Sequence, residues 1–259
     1  MDNPLADVDP PVALASLSGE SDADWALAAA EYVGAAFLGG IAVDEPTRSA
    51  ARAMVDRDRT EFLPPDPVAF VDAQLGRLED APLQAGFNVR AVDHEALHRV
   101  AAVCAERDAV LEINAHCRQD EMCAAGAGQS LLSAPDRLAE QVKVASDIGA
   151  VVSVKVRTEV AGVDLPALAA QVENAGADIL HVDAMDSERV VADVVAATDA
   201  AVIANNGVRD RDTVHEYLAY GADAVSVGRP SDDPVVLRRV RDAAESWIRE
   251  PRGRREAEP

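Results

Sequence analysis

The feature that most constrains this chain is a regular alternation of short apolar runs with longer amphipathic segments. Eight of the runs are predicted to be β-strands, and a predicted helix follows each of them. Parallel strands that helices cover on both faces appear in a sequence as nearly continuous apolar runs. The predicted strands are Val12–Ser16, Gly34–Gly40, Leu83–Val89, Val110–Asn114, Val151–Arg157, Asp178–Asp183, Ala201–Asn205 and Asp223–Val227.

Eight parallel strands are the number that closes into a (β/α)8 barrel, the TIM-barrel fold. The length of 259 residues suits one domain of this α/β kind. We predict a barrel over residues 12–250, an acidic, proline-rich N-terminal extension over 1–11 and a charged tail over 251–259. No linker supports a division into two domains. In such a barrel the site is built by the loops at the carboxyl ends of the strands.

The composition is strongly acidic. The formal net charge is −22, and the 24 basic residues include only two lysines. Acidic residues occur on most predicted helices, which indicates a solvated acidic surface and not a single interaction patch. Because salt screens the self-repulsion of such a surface, we expect a halophilic protein of a salty cytoplasm. The same charge argues against DNA binding, which requires clustered Lys and Arg side chains.

The cysteines and the apolar runs bound the remaining classes. Cys104, Cys117 and Cys123 have no regular spacing, so they predict neither a disulfide framework nor a metal site, and they fit a reducing cytoplasm. No run approaches the roughly 18 apolar residues that span a bilayer, and the N-terminus does not resemble a signal peptide. We therefore expect no membrane association. A homo-oligomer is compatible with the sequence.

The loop after the predicted fourth strand concentrates polar and reactive side chains. The strand ends at Asn114, and His116 and Cys117 follow within three residues. The topology would deliver these groups to the carboxyl end of the barrel. A single cysteine in such a loop is also a common small buried residue. Cys117 is therefore interpreted either as a core residue or as a reactive group.

Lys155 lies within a valine-rich strand, where its alternation with Val154 and Val156 would point it into the barrel. A buried lysine is unfavourable unless an anionic group meets it, so we interpret Lys155 as a cation that faces an oxyanion or an electron-rich ring. On the next strand His181 is either a core residue or a ligand-binding one, and Asp183 could orient it. The other histidines are predicted to lie on helix surfaces: His94, His98 and His215.

Two glycine-containing loops follow the last two predicted strands. Asn206 and Gly207 come after the seventh strand, and Gly228 and Arg229 come after the eighth. In barrels these two loops recurrently bind phosphate through backbone N–H groups. Glycine permits close approach of the backbone, and arginine adds a fork of donors. We predict a ligand that is a phosphorylated metabolite or a phosphate-bearing cofactor such as FMN.

Several of these motifs together resemble a known family. Glu112-Ile-Asn-Ala-His-Cys117, with Gly126-Ala-Gly128 and Leu131-Leu132, is similar to the D-I-N-x-G-C-P…G-G-x-G-x-x-L-L segment of the tRNA-dihydrouridine synthases. The resemblance continues in order and spacing over roughly residues 83–230, with Val154-Lys-Val-Arg157, His181, Asn205-Asn-Gly207 and Gly221-Ala-Asp223…Val227-Gly-Arg229. The wider group includes the FMN barrels of the dihydroorotate and dihydropyrimidine dehydrogenases.

The resemblance implies an FMN-dependent oxidoreductase that moves a hydride between flavin N5 and C6 of a pyrimidine, across its C5=C6 bond. Cys117 would be the general acid or base at C5, a role that suits a thiol with a pKa near 8.5. Lys155 would face the flavin N1–C2 carbonyl, and His181 would hold a carbonyl of the flavin or of uracil. NAD(P)H would be a transient electron donor.

The resemblance also implies the remaining cofactor contacts. Asn88 would bind the flavin edge, and Asn114 would meet the flavin or the substrate. The FMN phosphate would be bound by the two loops described above, through Asn206, Gly207, Gly228 and Arg229.

The chain departs from the family pattern in two ways. The family's Gly-Cys-Pro is His116-Cys117-Arg118 here, so His116 is a further candidate for proton transfer. The sequence also ends soon after the eighth strand–helix unit, where the synthases carry a helical domain that grips tRNA. Both a free pyrimidine and uracil in tRNA are therefore candidate substrates.

Two other functions fit the same residues. One is a flavin-free barrel lyase or isomerase that acts on a phosphorylated metabolite, with Lys155 as a Schiff-base or electrostatic lysine. The other is a barrel that binds a phosphate ligand without turnover, which the altered Cys117 loop would allow.

Overall fold

The computed structural model describes residues 3–250 and shows a closed barrel of eight parallel strands. The strands pair in chain order, and β1 closes the barrel against β8. The predicted single-domain TIM-barrel fold is therefore confirmed. The predicted charged tail, 251–259, lies outside the described residues. The strands are β1 (Val12–Leu14), β2 (Ala35–Ala42), β3 (Gln84–Arg90), β4 (Val110–Asn114), β5 (Val151–Arg157), β6 (Ile179–Asp183), β7 (Ala201–Asn205) and β8 (Ala224–Val227).

The helices follow the strands along the chain, as the alternation predicted. They are α1 (Ala23–Ala29), α2 (Glu45–Val55), α3 (Pro67–Gly76), α4 (His94–Glu106), α5 (Asp120–Ala124), α6 (Pro135–Ser146), α7 (Leu165–Asn174), α8 (Val190–Ala197), α9 (Arg211–Ala219) and α10 (Pro234–Arg249). The sequence did not indicate the short α5 or the 3-10 turns Gly128–Ser133 and Arg229–Asp232. These three short pieces shape the loops after β4 and β8. They have too few residues for a hydrophobic period to be recognised.

Aspartate residues begin most of the helices. At each of these positions the carboxylate accepts a hydrogen bond from a backbone N–H of the first helical turn, which has no partner within the helix. The negative charge is also favourable at this end of the helix dipole. Part of the acidic composition therefore stabilises the fold directly. The capping residues are Asp22, Asp44, Asp66, Asp93, Asp164, Asp210 and Asp233.

The apolar core has one large layer between the strands and the helices and a smaller cluster inside the barrel, where the strands begin. The smaller cluster contains Leu5 and Val8 of the N-terminal extension, packed with residues such as Ala13 and Ile203. Burying a side chain of this kind contributes about 1.5–3 kcal/mol. The described part of the extension thus closes the end of the barrel opposite the carboxyl ends of the strands.

Of the histidines predicted to lie on helix surfaces, His94 and His98 are exposed, as expected. The prediction for His215 is wrong, because this residue is buried between α9 and α10. Its ring lies edge-on to Trp247, with 5.1 Å between the ring centroids. The face of α9 that carries His215 packs against α10, a contact that the local sequence of α9 does not reveal.

The surface charge predicts a strong dependence of stability on salt. With a net charge of −22, repulsion between carboxylates opposes the compact state, and its range falls from about 10 Å at 0.1 M salt to about 3 Å at 1 M. We expect the melting temperature to rise by roughly 5 °C or more between 0.1 M and 2 M KCl. Calorimetry in KCl and in NaCl should give the same rise, and a constant or falling melting temperature would contradict this prediction.

Within residues 3–250, no helix is long and apolar enough to cross a membrane.

Candidate active site

A cavity of about 370 Å³ opens at the carboxyl ends of the strands. Its walls come from the loops after β1, β4, β7 and β8 together with residues of the strands β5, β6, β7 and β8. Such a volume lies within the range of about 300–1,000 Å³ that small-molecule and cofactor sites occupy. The position is the one at which barrels of this class carry their chemistry.

The two loops that were predicted to bind phosphate line the same side of this cavity. Asn206, Gly207, Gly228 and Arg229 are all part of its wall. A Cβ atom added at Gly207 or at Gly228 would meet no other atom within 4 Å, so both loops leave open space beside the backbone. Among residues 3–250, Arg229 makes no ion pair, and the N–H groups of Gly207 and Val208 donate no hydrogen bond. The loops thus offer unused donors to an anion.

Lys155 points into the barrel and lines the cavity, and only 4% of its surface is exposed. It is the register partner of Asn114 on β4 and of His181 on β6, so the three side chains leave the same face of the sheet. Burial lowers the pKa of Lys155, and the carboxylates of Glu112 and Asp183 oppose this by favouring the ammonium form. Lys155 is therefore a buried amine whose charged form two carboxylates favour.

His116 also lines the cavity and is hydrogen-bonded to Asp183, with 2.5 Å between Nε2 and Oδ2. Burial lowers the pKa of His116, and the positive charge of Lys155 acts in the same direction. Burial alone would raise the pKa of Asp183, but the hydrogen bond from His116 holds it below its ordinary value. Asp183 is thus an ionised carboxylate that accepts from the ring and would stabilise the imidazolium whenever His116 takes up a proton. Asp183 was considered as an orienting group for His181; the structure pairs it with His116 instead.

Cys117 follows His116 on the same loop but is not among the residues that line this cavity. Its thiol is partly exposed and interacts with the guanidinium of Arg90, which is itself buried in an ion pair with Glu61. The Cys117 carbonyl accepts a hydrogen bond from the N–H of Gln129 at 2.8 Å. The loop therefore places the imidazole towards the cavity and the thiol beside a buried cation.

Three residues predicted to bind the cofactor lie beneath the cavity. Asn88 and His181 are fully buried and Asn114 nearly so, and none of the three is part of the cavity wall. They are hydrogen-bonded around Glu112, a fully buried carboxylate in the middle of β4 that accepts from His181 Nδ1 at 2.6 Å. Burial alone would raise the pKa of Glu112, but its interactions with His181, Lys155 and Asn88 lower it to about 2.

Reasoning from the sequence missed several residues that the structure brings to the site. The clearest are Glu112, Asp183 as the partner of His116, and Arg90 beside Cys117. One signal was present for Glu112, because a glutamate two residues before Asn114 in an apolar strand faces the same side of the sheet. The partners of Arg90 and Asp183 come from loops that are distant in the sequence, so no local signal was available.

The buried His181 predicts a loss of stability on acidification. Burial lowers the pKa of His181 below its ordinary value of 6.5, so the folded chain keeps the ring neutral while the unfolded chain takes up a proton as the pH falls. The unfolded state then binds more protons, and the free energy of unfolding decreases by about 1–2 kcal/mol between pH 7.5 and pH 5. Glu112 acts in the same direction at lower pH, because its pKa in the folded chain is about 2.

Urea unfolding in about 2 M KCl measures this loss while the surface charges are screened. The exposed His98 provides a matched control. His98→Asn should keep the slope of the wild type, whereas His181→Asn should flatten it. A wild-type stability that is constant from pH 7.5 to pH 5 would refute the neutral, buried histidine.

The fold and the cavity together define a (β/α)8 barrel in which a buried lysine and two glycine-containing loops share one cavity. A family model described as dihydrouridine synthase matches residues 77–257, most of the chain and all of the loops described above except that after β1. The chain belongs to the dihydrouridine synthase family, a family of oxidoreductases. A curated relative, an uncharacterized protein from Methanocaldococcus jannaschii, is 27% identical over 241 residues, covering 87% of this chain and 90% of the relative.

Solved structures share the barrel at low sequence identity. FabK from Thermotoga maritima superposes with a TM-score of 0.58 and 18% identity over 86% of this chain, which spans 59% of the FabK chain. Thiamine phosphate pyrophosphorylase from Pyrococcus furiosus gives 0.55 and 13%, with 95% and 98% of the two chains covered. Nitroalkane oxidase from Streptomyces ansochromogenes gives 0.51 and 16%, with 88% and 67% covered. At these identities the likeness concerns the fold alone.

Proposed function

We propose that this protein is an FMN-dependent oxidoreductase that transfers a hydride between the flavin and the C5=C6 bond of a pyrimidine. The observation that carries the proposal is that one cavity is lined by Lys155, by His116 and by both loops that were predicted to bind phosphate. Membership of the dihydrouridine synthase family supports the same chemistry. NAD(P)H is the proposed transient electron donor, and a reducing cytoplasm is the proposed location.

The residues of the cavity fit FMN. Gly207 and Gly228 leave open space beside their backbone, and Arg229 makes no ion pair among the described residues, so these loops suit the phosphate. Lys155 supplies a buried positive charge that would stabilise electron-rich groups of the cofactor. FMN would supply the hydride chemistry, and the protein would supply position and electrostatics.

The protein's own residues would handle the proton at C5 of the pyrimidine. His116 is the favoured group, because its ring lines the cavity and Asp183 fixes its orientation. Cys117, to which the family resemblance gives this role, remains the second candidate, on the same loop as His116. A general acid contributes only when it lies within hydrogen-bond reach of the reacting atom, which is why position decides between the two.

The charge of the protein favours a free pyrimidine over uracil in tRNA as the substrate. A net charge of −22 repels a polyanion at low salt, and phosphate contacts contribute little at high salt. To compare the two substrates, the chemically reduced protein would be mixed with uracil or with a tRNA transcript without oxygen, and reoxidation of the flavin would be followed. Faster reoxidation by the transcript would overturn this preference.

The cofactor is tested by an absorbance spectrum of the protein purified in about 2 M KCl, with mass spectrometry of the released compound. Flavin bands and the mass of FMN are the expected result. A colourless protein that also fails to take up added FMN would contradict the oxidoreductase proposal.

A flavin-free lyase or isomerase acting on a phosphorylated metabolite is the second candidate. One observation favours it: burial lowers the pKa of Lys155, and a deprotonated buried lysine can form a Schiff base with a carbonyl substrate. Borohydride trapping of a phosphorylated aldehyde or ketone on Lys155, in a protein that binds no FMN, would move the assignment to this class.

A further inference from the structure

Glu112 is the centre of a hydrogen-bond network buried beneath the cavity. Its Oε1 accepts from Asn88 Nδ2 at 2.7 Å, and its Oε2 accepts from His181 Nδ1 at 2.6 Å and from Ser153 Oγ at 3.2 Å. Both oxygens are therefore used as acceptors. A carboxylate can do this without conflict because, when ionised, it has acceptor sites only.

The first branch runs from Glu112 to the floor of the cavity. Because the neutral His181 ring donates from Nδ1, its Nε2 must accept, and the Ser226 hydroxyl donates to it at 2.7 Å. The same hydroxyl oxygen accepts from Asn205 Nδ2 at 2.7 Å. The directions of these hydrogen bonds leave two free acceptors, a lone pair of Ser226 Oγ and the Oδ1 atom of Asn205. Both residues line the cavity.

The second branch runs from Glu112 to the loop that carries His116 and Cys117. Asn88 donates to Glu112 through Nδ2, so its Oδ1 accepts from Asn114 Nδ2 at 2.8 Å. The Oδ1 atom of Asn114 then accepts from the backbone N–H groups of Cys117 at 2.8 Å and His116 at 3.2 Å. The orientation of two side-chain amides, and with it the position of the loop, follows from one carboxylate.

We propose that Glu112 is a positioning residue. Its negative charge determines which groups donate and which accept hydrogen bonds on both sides of the cavity. On one side it anchors the loop of His116 and Cys117. On the other it makes the floor at Ser226 and Asn205 a hydrogen-bond acceptor, so the ligand group bound there is a donor, a hydroxyl or an N–H, and not a phosphate oxygen. This ligand assignment rests on the proposed function, because it takes the cavity as the cofactor site.

Glutamine at position 112 separates charge from shape. It has nearly the same size, but it offers one acceptor oxygen and one donor NH2 group. Its oxygen can serve His181 or Asn88, and its NH2 group then faces a donor on the other branch. Glu112→Gln must therefore disturb either the tautomer of His181 or the orientation of the Asn88–Asn114 pair, even if it packs without strain.

The test uses nitrogen-15 correlation spectra of the protein labelled at histidine and cysteine, without any ligand. In the wild type we expect His181, assigned by its loss in His181→Asn, to be neutral and protonated at Nδ1 from about pH 8 to about pH 5. In Glu112→Gln, either this tautomer is lost or the amides of His116 and Cys117 exchange with solvent at least about tenfold faster. A wild-type ring protonated at Nε2, or a Gln variant that matches the wild type in both readouts, would overturn the proposal.

Two matched variants separate the charge of Glu112 from packing. Ser153→Ala removes a neutral donor to the same carboxylate, and we expect both readouts to stay as in the wild type. Ser226→Ala removes the partner of Nε2, and the Nδ1 proton of His181 should persist because Glu112 sets it. A change of tautomer in either variant would show that packing or Ser226, and not the charge of Glu112, fixes the ring. These variants and the wild-type spectrum test the proposal even if Glu112→Gln does not fold.

A titration with FMN separates this proposal from the proposed function. We expect Glu112→Gln to bind FMN at least about tenfold more weakly than the wild type, while Ser153→Ala binds it equally well. Equal affinity in the wild type and the Gln variant would overturn the donor assignment at the floor. Failure of the wild type to bind FMN would instead count against the proposed function, and the histidine spectra would still decide the role of Glu112.

Discussion

Replacing Lys155 by methionine is expected to weaken FMN binding by at least about tenfold and to slow reduction of any flavin that still binds. Lys155 is the buried cation of the cavity, and the negative charges of Glu112 and Asp183 favour its charged form. Methionine keeps most of the volume and removes the charge, so the two carboxylates would face the cofactor without compensation. The measurements are an FMN titration and the rate of flavin reduction by NADPH or dithionite.

The chain contains one matched control for this variant, since Lys143 is its only other lysine. Lys143 lies exposed on α6 and pairs with Asp147 at 2.8 Å, a surface ion pair worth little. Lys143→Met should bind FMN as the wild type does. If Lys155→Met also matches the wild type in affinity and in reduction rate, Lys155 has no part in the cofactor site.

Removal of the His116 imidazole is expected to slow pyrimidine turnover by about a hundredfold to ten-thousandfold while FMN stays bound. The reason is position: the ring lines the cavity with Lys155 and is oriented by Asp183, whereas Cys117 is not part of this wall. His116→Gln keeps a polar group of similar size but removes a ring that can take up and release a proton. The measurement is reoxidation of the reduced flavin by the pyrimidine in a single turnover.

Cys117→Ala, on the same loop, is the comparison for His116→Gln. We expect it to retain FMN and to lose less than about tenfold in the same assay, because the thiol would not be the proton donor. The reverse pattern, with turnover lost in Cys117→Ala and kept in His116→Gln, would return the proton to the thiol, as the family resemblance implies.

The sequence predicted the barrel well because the signals for it are local. Each strand is a run of apolar residues because both of its faces are buried in the core. Most helices begin at an aspartate cap. The inward direction of Lys155 also followed from alternation along one strand. The pairing of Asn206–Gly207 with Gly228–Arg229 followed from topology, because consecutive strands of a parallel barrel bring their loops together.

The site was predicted only in part. The sequence identified the loop of His116 and Cys117 but could not tell which of the two faces the cavity. It left His181 open between a core residue and a ligand-binding one, and the structure surrounds its ring with Glu112 and Ser226 beneath the cavity. These outcomes depend on side chains that come from different strands, and periodicity along one strand carries no information about them.

The sequence by itself therefore determined the barrel, the end of it that carries the site, and the residue types available there. It could do so because hydrophobic periodicity, capping and strand order depend on residues that are close together in the sequence. Only the tertiary structure decided which of those residues share a hydrogen bond, as His116 does with Asp183 and Glu112 does with His181. The physical reason is that a buried carboxylate is stable only with donors around it, and here these donors come from strands that are distant in the sequence.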